Sequence, residues 1–181
     1  MAERRNYVGG AYSLTVIAPI IAGQELRARD AIEALPVGAD SPLARLGGLH
    51  FSRIHVISDL VFQGPQQRRR DQLRANHLVF TSTFDGELDP YLDALRSRAE
   101  PDTWWRFCVG YPGSADREAF GRFVRDHQID SSLFASAHPE ASVPSVFESL
   151  ALRERIIDFA IAARGLDPAE LQRRFRDELA G

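Results

Sequence analysis

Histidine and arginine are the residue types in this chain best suited to chemistry near neutral pH. Imidazole gains and loses a proton there, and guanidinium holds carboxylates and phosphates in a fixed fork. The histidines are His50, His55, His77, His127 and His138, and none falls into a metal spacing such as His-Glu-x-x-His. Arg53 and His55 are two residues apart in a β-branched, alternating stretch, so a strand sets both on one face with Phe51 and Ile57. In that setting Arg53 can orient an anionic substrate while His55 moves a proton. The same spacing also suits a sheet edge or a subunit interface, where carboxylates satisfy both side chains. His50 lies three residues before Arg53, which in a regular strand puts it on the opposite face. Only a bulge would let His50 join the same pocket.

Further along, His127 follows Phe120, Phe123 and Val124 at helical spacing and is expected to point inward. Such a histidine can ligate haem iron, or it can sit in the core bonded to a backbone carbonyl. Trp104, Trp105, Phe107 and Tyr111 form an aromatic cluster in which Trp105 and Tyr111 either wall a substrate pocket or fill the core. Cys108 is the only cysteine, which excludes an intrachain disulfide and a Cys-rich zinc site. No Cys-x-x-Cys context activates it, and it reads as a buried, inert thiol. His77 opens a strand, His138 precedes Pro139 in a turn, and Asp59 and Asp85 read as turn formers at strand ends.

Several activities are excluded by what the chain lacks. Neither Gly-x-Gly-x-x-Gly, the P-loop signature nor a Gly-x-Ser-x-Gly elbow occurs. All 22 positive residues are arginine, so no lysine can form a Schiff base. A net charge of -3 gives no electrostatic reason to expect nucleic acid. No apolar run is long enough to span a bilayer, and Met1 to Gly10 lacks the features of a signal peptide, so a cytoplasmic location is expected.

The elements that must position these residues follow from periodicity. Tyr12–Ile21, Leu49–Leu60 and His77–Phe84 read as strands, with Leu14, Val16 and Ala18 facing away from Ser13, Thr15 and Ile17. Ser131–Ala137 reads as a fourth, serine- and alanine-rich strand. Helices are expected over Gln24–Leu35, from Asp89-Pro90 onward, after a Ser114 cap, over Val143–Arg164, and after an Asp167-Pro168 start. Between the second and third strands, Val61–Asn76 carries Gly64-Pro65 and Arg68-Arg69-Arg70 and reads as a solvated connection. The order is that of an α+β, ferredoxin-like βαββαβ antiparallel sheet with additional helices. A single domain of 181 residues is expected, with its core over about 12–164 and a C-terminal helix at 167–180. The open sheet face and a Val143–Arg164 helix that is apolar on two sides both suit a homodimer.

Four stretches carry a resemblance: Leu49-His50-Phe51-Ser52-Arg53, Leu78 to Gly86, Cys108-Val109-Gly110-Tyr111-Pro112-Gly113, and His127-Gln128-Ile129-Asp130. Together they resemble an uncharacterised bacterial family of ferredoxin-like domains, similar in fold to dimeric α/β-barrel proteins, over about Leu14 to Phe159. That fold group includes dye-decolourising peroxidases, chlorite dismutase-like haem proteins, cofactor-free monooxygenases and polyketide cyclases. The resemblance therefore implies a small-molecule enzyme, haem-dependent or cofactor-free, or a non-catalytic ligand-binding or assembly domain. Phe107 stands where that family carries a histidine before the cysteine, so no role passes to the Trp105-to-Cys108 segment.

Overall fold

A computed structural model of the chain describes residues 5–60, 64–65 and 72–179. Two compact units divide it, 1–140 and 141–181, so the helix expected over Val143–Arg164 belongs to the second. The first unit is built on a four-stranded antiparallel sheet of order β1-β2-β4-β3. Its strands are β1 (Tyr7–Val8), β2 (Ala11–Pro19), β3 (Leu49–Ile57) and β4 (His77–Asp85). Helices α1 (Glu25–Glu33), α2 (Leu88–Arg98), α3 (Asp102–Trp105) and α4 (Arg117–Asp126) complete it. The chain is thus mixed α+β, and most of the Arg-rich connection lies outside the described residues.

Alternation along the strands sets the two faces. On β2 and β4 every second residue is buried: Tyr12, Leu14, Val16 and Ala18 on one strand, Leu78, Phe80, Ser82 and Phe84 on the other. This face meets the helices. Phe80 lies 6.2 Å from Trp104 and 5.2 Å from Trp105, and Trp105 in turn packs on Phe120 and Phe123 of α4. Burial of these aromatic and aliphatic side chains is the main driving force, about 1.5–3 kcal/mol for each large one. Ser82 is the polar member of that row, and its hydroxyl is satisfied at 2.6 Å by the buried hydroxyl of Tyr91 on α2. The Tyr91 ring stacks flat on Phe84, their centroids 3.6 Å apart.

Ser131–Ala137, expected as a fourth strand, is irregular. The outer edge of β2 is covered piecemeal instead. Asn6 accepts from Ser13 N–H, His127 from Ile17 N–H and Phe107 from Ile21 N–H, while Val109 and Ile129 donate to Pro19 and Thr15. Three short segments therefore satisfy the ladder groups that one strand would otherwise take. Asn6 also locks the last of them, donating to Asp130 at 2.9 Å and accepting from Ser131 N–H at 2.7 Å. At the tight β1–β2 turn, Gly9 has φ +59, and a Cβ there would lie 1.7 Å from the Pro139 carbonyl oxygen.

Helix ends depart from expectation by a residue or two. Asp116, not Ser114, caps α4, accepting from the N–H groups of Glu118 and Ala119. Ser114 instead binds Asp102, which accepts from its N–H and hydroxyl at 2.9 and 2.8 Å and from Tyr111 Oη at 2.6 Å. Asp89 lies inside the first turn of α2 and pairs with Arg125, leaving Glu87 at the cap position. In the second unit, α5 (Val143–Ala162) is followed by α6 (Pro168–Leu179), with Asp167 capping the N–H groups of Ala169 and Glu170. Among the described residues no helix is long and apolar enough to cross a membrane.

Partial burial works to raise the Asp102 carboxyl, but the bonds from Tyr111 and Ser114, with Arg106 nearby, hold it below its ordinary range. A carboxylate depressed in the folded state stabilises above its unfolded pKa, and that stabilisation is lost as pH falls through the folded value. Asp102→Asn should therefore lower the melting temperature at neutral pH. The gap to the parent chain should close as the pH is brought below about 4, near the unfolded carboxylate pKa. A pH-independent gap in thermal melts would remove the charge from this explanation.

Candidate functional site

The second face of the sheet, opposite the helices, collects most of the residues suited to chemistry. β3 pairs with β4 so that Arg53 lies opposite Thr81, His55 opposite Val79 and Ile57 opposite His77. β4 in turn sets Thr81 opposite Thr15, Thr83 opposite Ser13 and Val79 opposite Ile17. One row across the face therefore reads Arg53, Thr81, Thr15, and the next reads Phe51, Thr83, Ser13. Directly opposed side chains in such rows have Cβ atoms about 5 Å apart, within reach of one small ligand. The patch holds four hydroxyls, Ser13, Thr15, Thr81 and Thr83, beside one guanidinium. Arg53 is exposed and makes no ion pair among the described residues, so its fork is free to bind.

His50 joins this face through the one device that permits it. The β3–β4 pairing slips between Leu49, opposite Phe84, and Phe51, opposite Thr83, leaving His50 as the extra residue of a bulge. Gly48, at φ +80, feeds the chain into that irregularity, and its carbonyl accepts from Asp85 N–H at 2.8 Å. The re-aimed His50 ring meets Asp85, with Nε2 2.8 Å from Oδ1. Both side chains are about one-fifth exposed, at 19% and 21%. Since a carboxylate only accepts, Nε2 carries the proton of the neutral ring and Nδ1 is left as a base. Asp85 therefore orients His50 as well as ending a strand.

Asp85 and His77 also belong to this face. Their signal was present in the alternation of β4, since His77, Val79, Thr81, Thr83 and Asp85 share one parity. His55 is exposed on the same face and also borders a hollow of about 180 Å3 along the outer edge of β3, with Arg29, Ile32 and Glu33 of α1. A larger hollow, about 350 Å3, lies between α2 and α4. Its charges are engaged with one another: Arg117 grips Asp93 through two bonds and holds that carboxyl below its ordinary range, and Arg125 pairs with Asp89. The sheet face is the candidate site, because its cation is unpaired among the described residues.

The remaining candidates lie on the helix-covered side. Trp105 is fully buried among Phe80, Trp104, Phe120 and Phe123, and half-buried Tyr111 packs on Trp105 and Phe123 at the rim of that cluster. The sheet separates them from Arg53 and His55. His127 ends α4, and its Nδ1 is 2.8 Å from the Phe123 carbonyl oxygen, an arrangement that leaves Nε2 able to ligate a metal. Its ring, however, packs at 4.5 Å on Phe123, and the neighbouring Trp105, Phe120 and Val124 are closed on each other. That packing does not fit a haem, which needs an apolar slot the size of the macrocycle. Among the described residues no cluster of three or more His, Cys, Asp or Glu is placed to hold a metal ion.

Cys108 is buried, and desolvation pushes its thiol up to about 12. A thiol held protonated and covered is a poor nucleophile. It should resist an aromatic disulfide reagent in the folded protein and react fully in denaturant; rapid native labelling would contradict this placement. Added haemin should give no Soret change that depends on His127, checked by comparing spectra of the parent and His127→Ala.

No protein-family model, curated protein or solved structure matches this chain.

Proposed function

We propose that the open sheet face binds a small anionic molecule and transfers a proton to or from it. The carrying observation is the bulge at His50, which sets an Asp85-oriented imidazole on the face that presents Arg53, unpaired among the described residues. Arg53 supplies the fork for a carboxylate or phosphate, and the Thr15 and Thr81 hydroxyls lie in the same row to complete its hydrogen bonds. His50, with Nδ1 free, acts as the base; His55, one row further along β3, is the second proton carrier. The reading is of a small-molecule enzyme that needs no haem at His127.

The strand order supports a ferredoxin-like reading, with residues 127–129 standing at the edge of β2 where a fourth strand would lie. In a dimeric α/β-barrel, the open face of each sheet is covered by a second copy, which here would shield the Arg53 patch from water. The alternative, a non-catalytic ligand-binding or assembly domain, is favoured by the exposure of Phe51, at 71%, beside the hydroxyl patch. It shares the binding step and lacks the proton transfer.

Calorimetric titration with a panel of small carboxylates and phosphomonoesters separates these readings. Arg53→Ala should weaken the best binder by about 10- to 100-fold, the usual worth of a charge-assisted pair. His50→Ala should keep binding and lose exchange of the ligand's acidic C–H protons with deuterated water, followed by NMR. Binding without exchange in the parent chain selects the non-catalytic domain. Equal affinity in Arg53→Ala would remove the site.

A further inference from the structure

In the second unit the 20-residue helix α5 has no buried residue, although it is apolar on two sides. One side is occupied: Phe159 meets Phe175 of α6 at 5.9 Å, and Arg155 donates to the Glu178 carbonyl. At 100° per residue, Val146, Leu150, Ile157 and Ile161 form a stripe on roughly the opposite side. All four are 40–58% exposed. Three charges flank the stripe unevenly. Arg153 borders one side, while Glu154 and Asp158 border the other. None of the three forms an ion pair among the described residues, whereas Arg173 and Arg174 of α6 are paired with Glu170.

We propose that this stripe pairs, parallel and in register, with the same stripe of a second copy of the chain. The unequal flanks choose both partner and direction. A parallel two-fold pairing brings opposite flanks together, so Arg153 of each copy meets Glu154 and Asp158 of the other, twice by symmetry. An antiparallel pairing brings like flanks together, setting the carboxylates of one copy against those of the other. Leu150 then packs on Leu150 and Ile157 on Ile157 across the axis, with the charges sealing the rim. This pairing involves the second unit and does not depend on the sheet face being covered.

Sedimentation of the full chain across the micromolar range tests the pairing, with circular dichroism confirming the helix content of each variant. The parent chain should dimerise. Arg153→Glu should weaken the dimer by about tenfold, since four attractive contacts become repulsive. The combined Arg153→Glu, Glu154→Arg, Asp158→Arg chain should recover it. Leu150→Cys should form a disulfide between copies on mild oxidation, without competition from buried Cys108. A monomer throughout the range, a dimer indifferent to Arg153→Glu, a charge swap that fails to rescue, or no cross-link at position 150 would each overturn the proposal.

Discussion

The pairing of β2 with β4 holds the first unit together, because it fixes which side of each strand meets the helices and which remains open. The two strands match residue for residue from Ala11 opposite Asp85 to Pro19 opposite His77. With a side-chain period of two, a slip of β2 by one position against β4 would bring Ser13, Thr15 and Ile17 under the helices and expel Leu14, Val16 and Ala18. Buried apolar surface makes that exchange prohibitive. The hydroxyl patch on the open face is thus a direct consequence of how the core is packed. The outer edge of β2, satisfied by three short segments, leaves β2 without a free ladder along much of its length.

Within that regular frame, the proposed chemistry rests on the irregularity at His50. A continuous strand would point His50 away from Arg53; the bulge turns its ring to Asp85 at the cost of one ladder pairing. The resulting site mixes a fixed, hydrogen-bonded imidazole with a guanidinium that has no partner of its own among the described residues. The large groove between α2 and α4 shows the contrary case. It has more charge and more room, yet Arg117 and Arg125 are already neutralised by Asp93 and Asp89.

Much of this was legible in the sequence, for a physical reason: strands buried on one side must alternate, and Leu14-Val16-Ala18 and Leu78-Phe80 do so plainly. The shared face of Arg53 and His55 follows from the same parity. The condition under which His50 could join them was also readable, although whether Gly47-Gly48 would lead into a bulge was not, because a bulge is decided by the pairing partner. Asp85 looked like a turn former because its position at a strand end says nothing of an imidazole thirty-five residues earlier. The expected strand at Ser131–Ala137 failed where side-chain signal was weakest; with few large β-branched residues, its place at the edge of β2 went to other segments. Trp105 and Tyr111 could be read as pocket or core from sequence, since aromatic residues serve both, and the packing on Phe80 and Phe123 puts them in the core cluster and at its rim.

The central claim, that one face carries an oriented His50 and an anion-binding Arg53, is tested most directly by NMR of the isotope-labelled chain. Long-range proton–nitrogen spectra should report the His50 ring protonated on Nε2 in its neutral form. Adding the tightest anion found by calorimetry should move the signals of Ser13, Thr15, Arg53 and Thr81 together with that ring. A His50 ring protonated on Nδ1, or shifts confined to Arg117 and Arg125 between α2 and α4, would contradict the account.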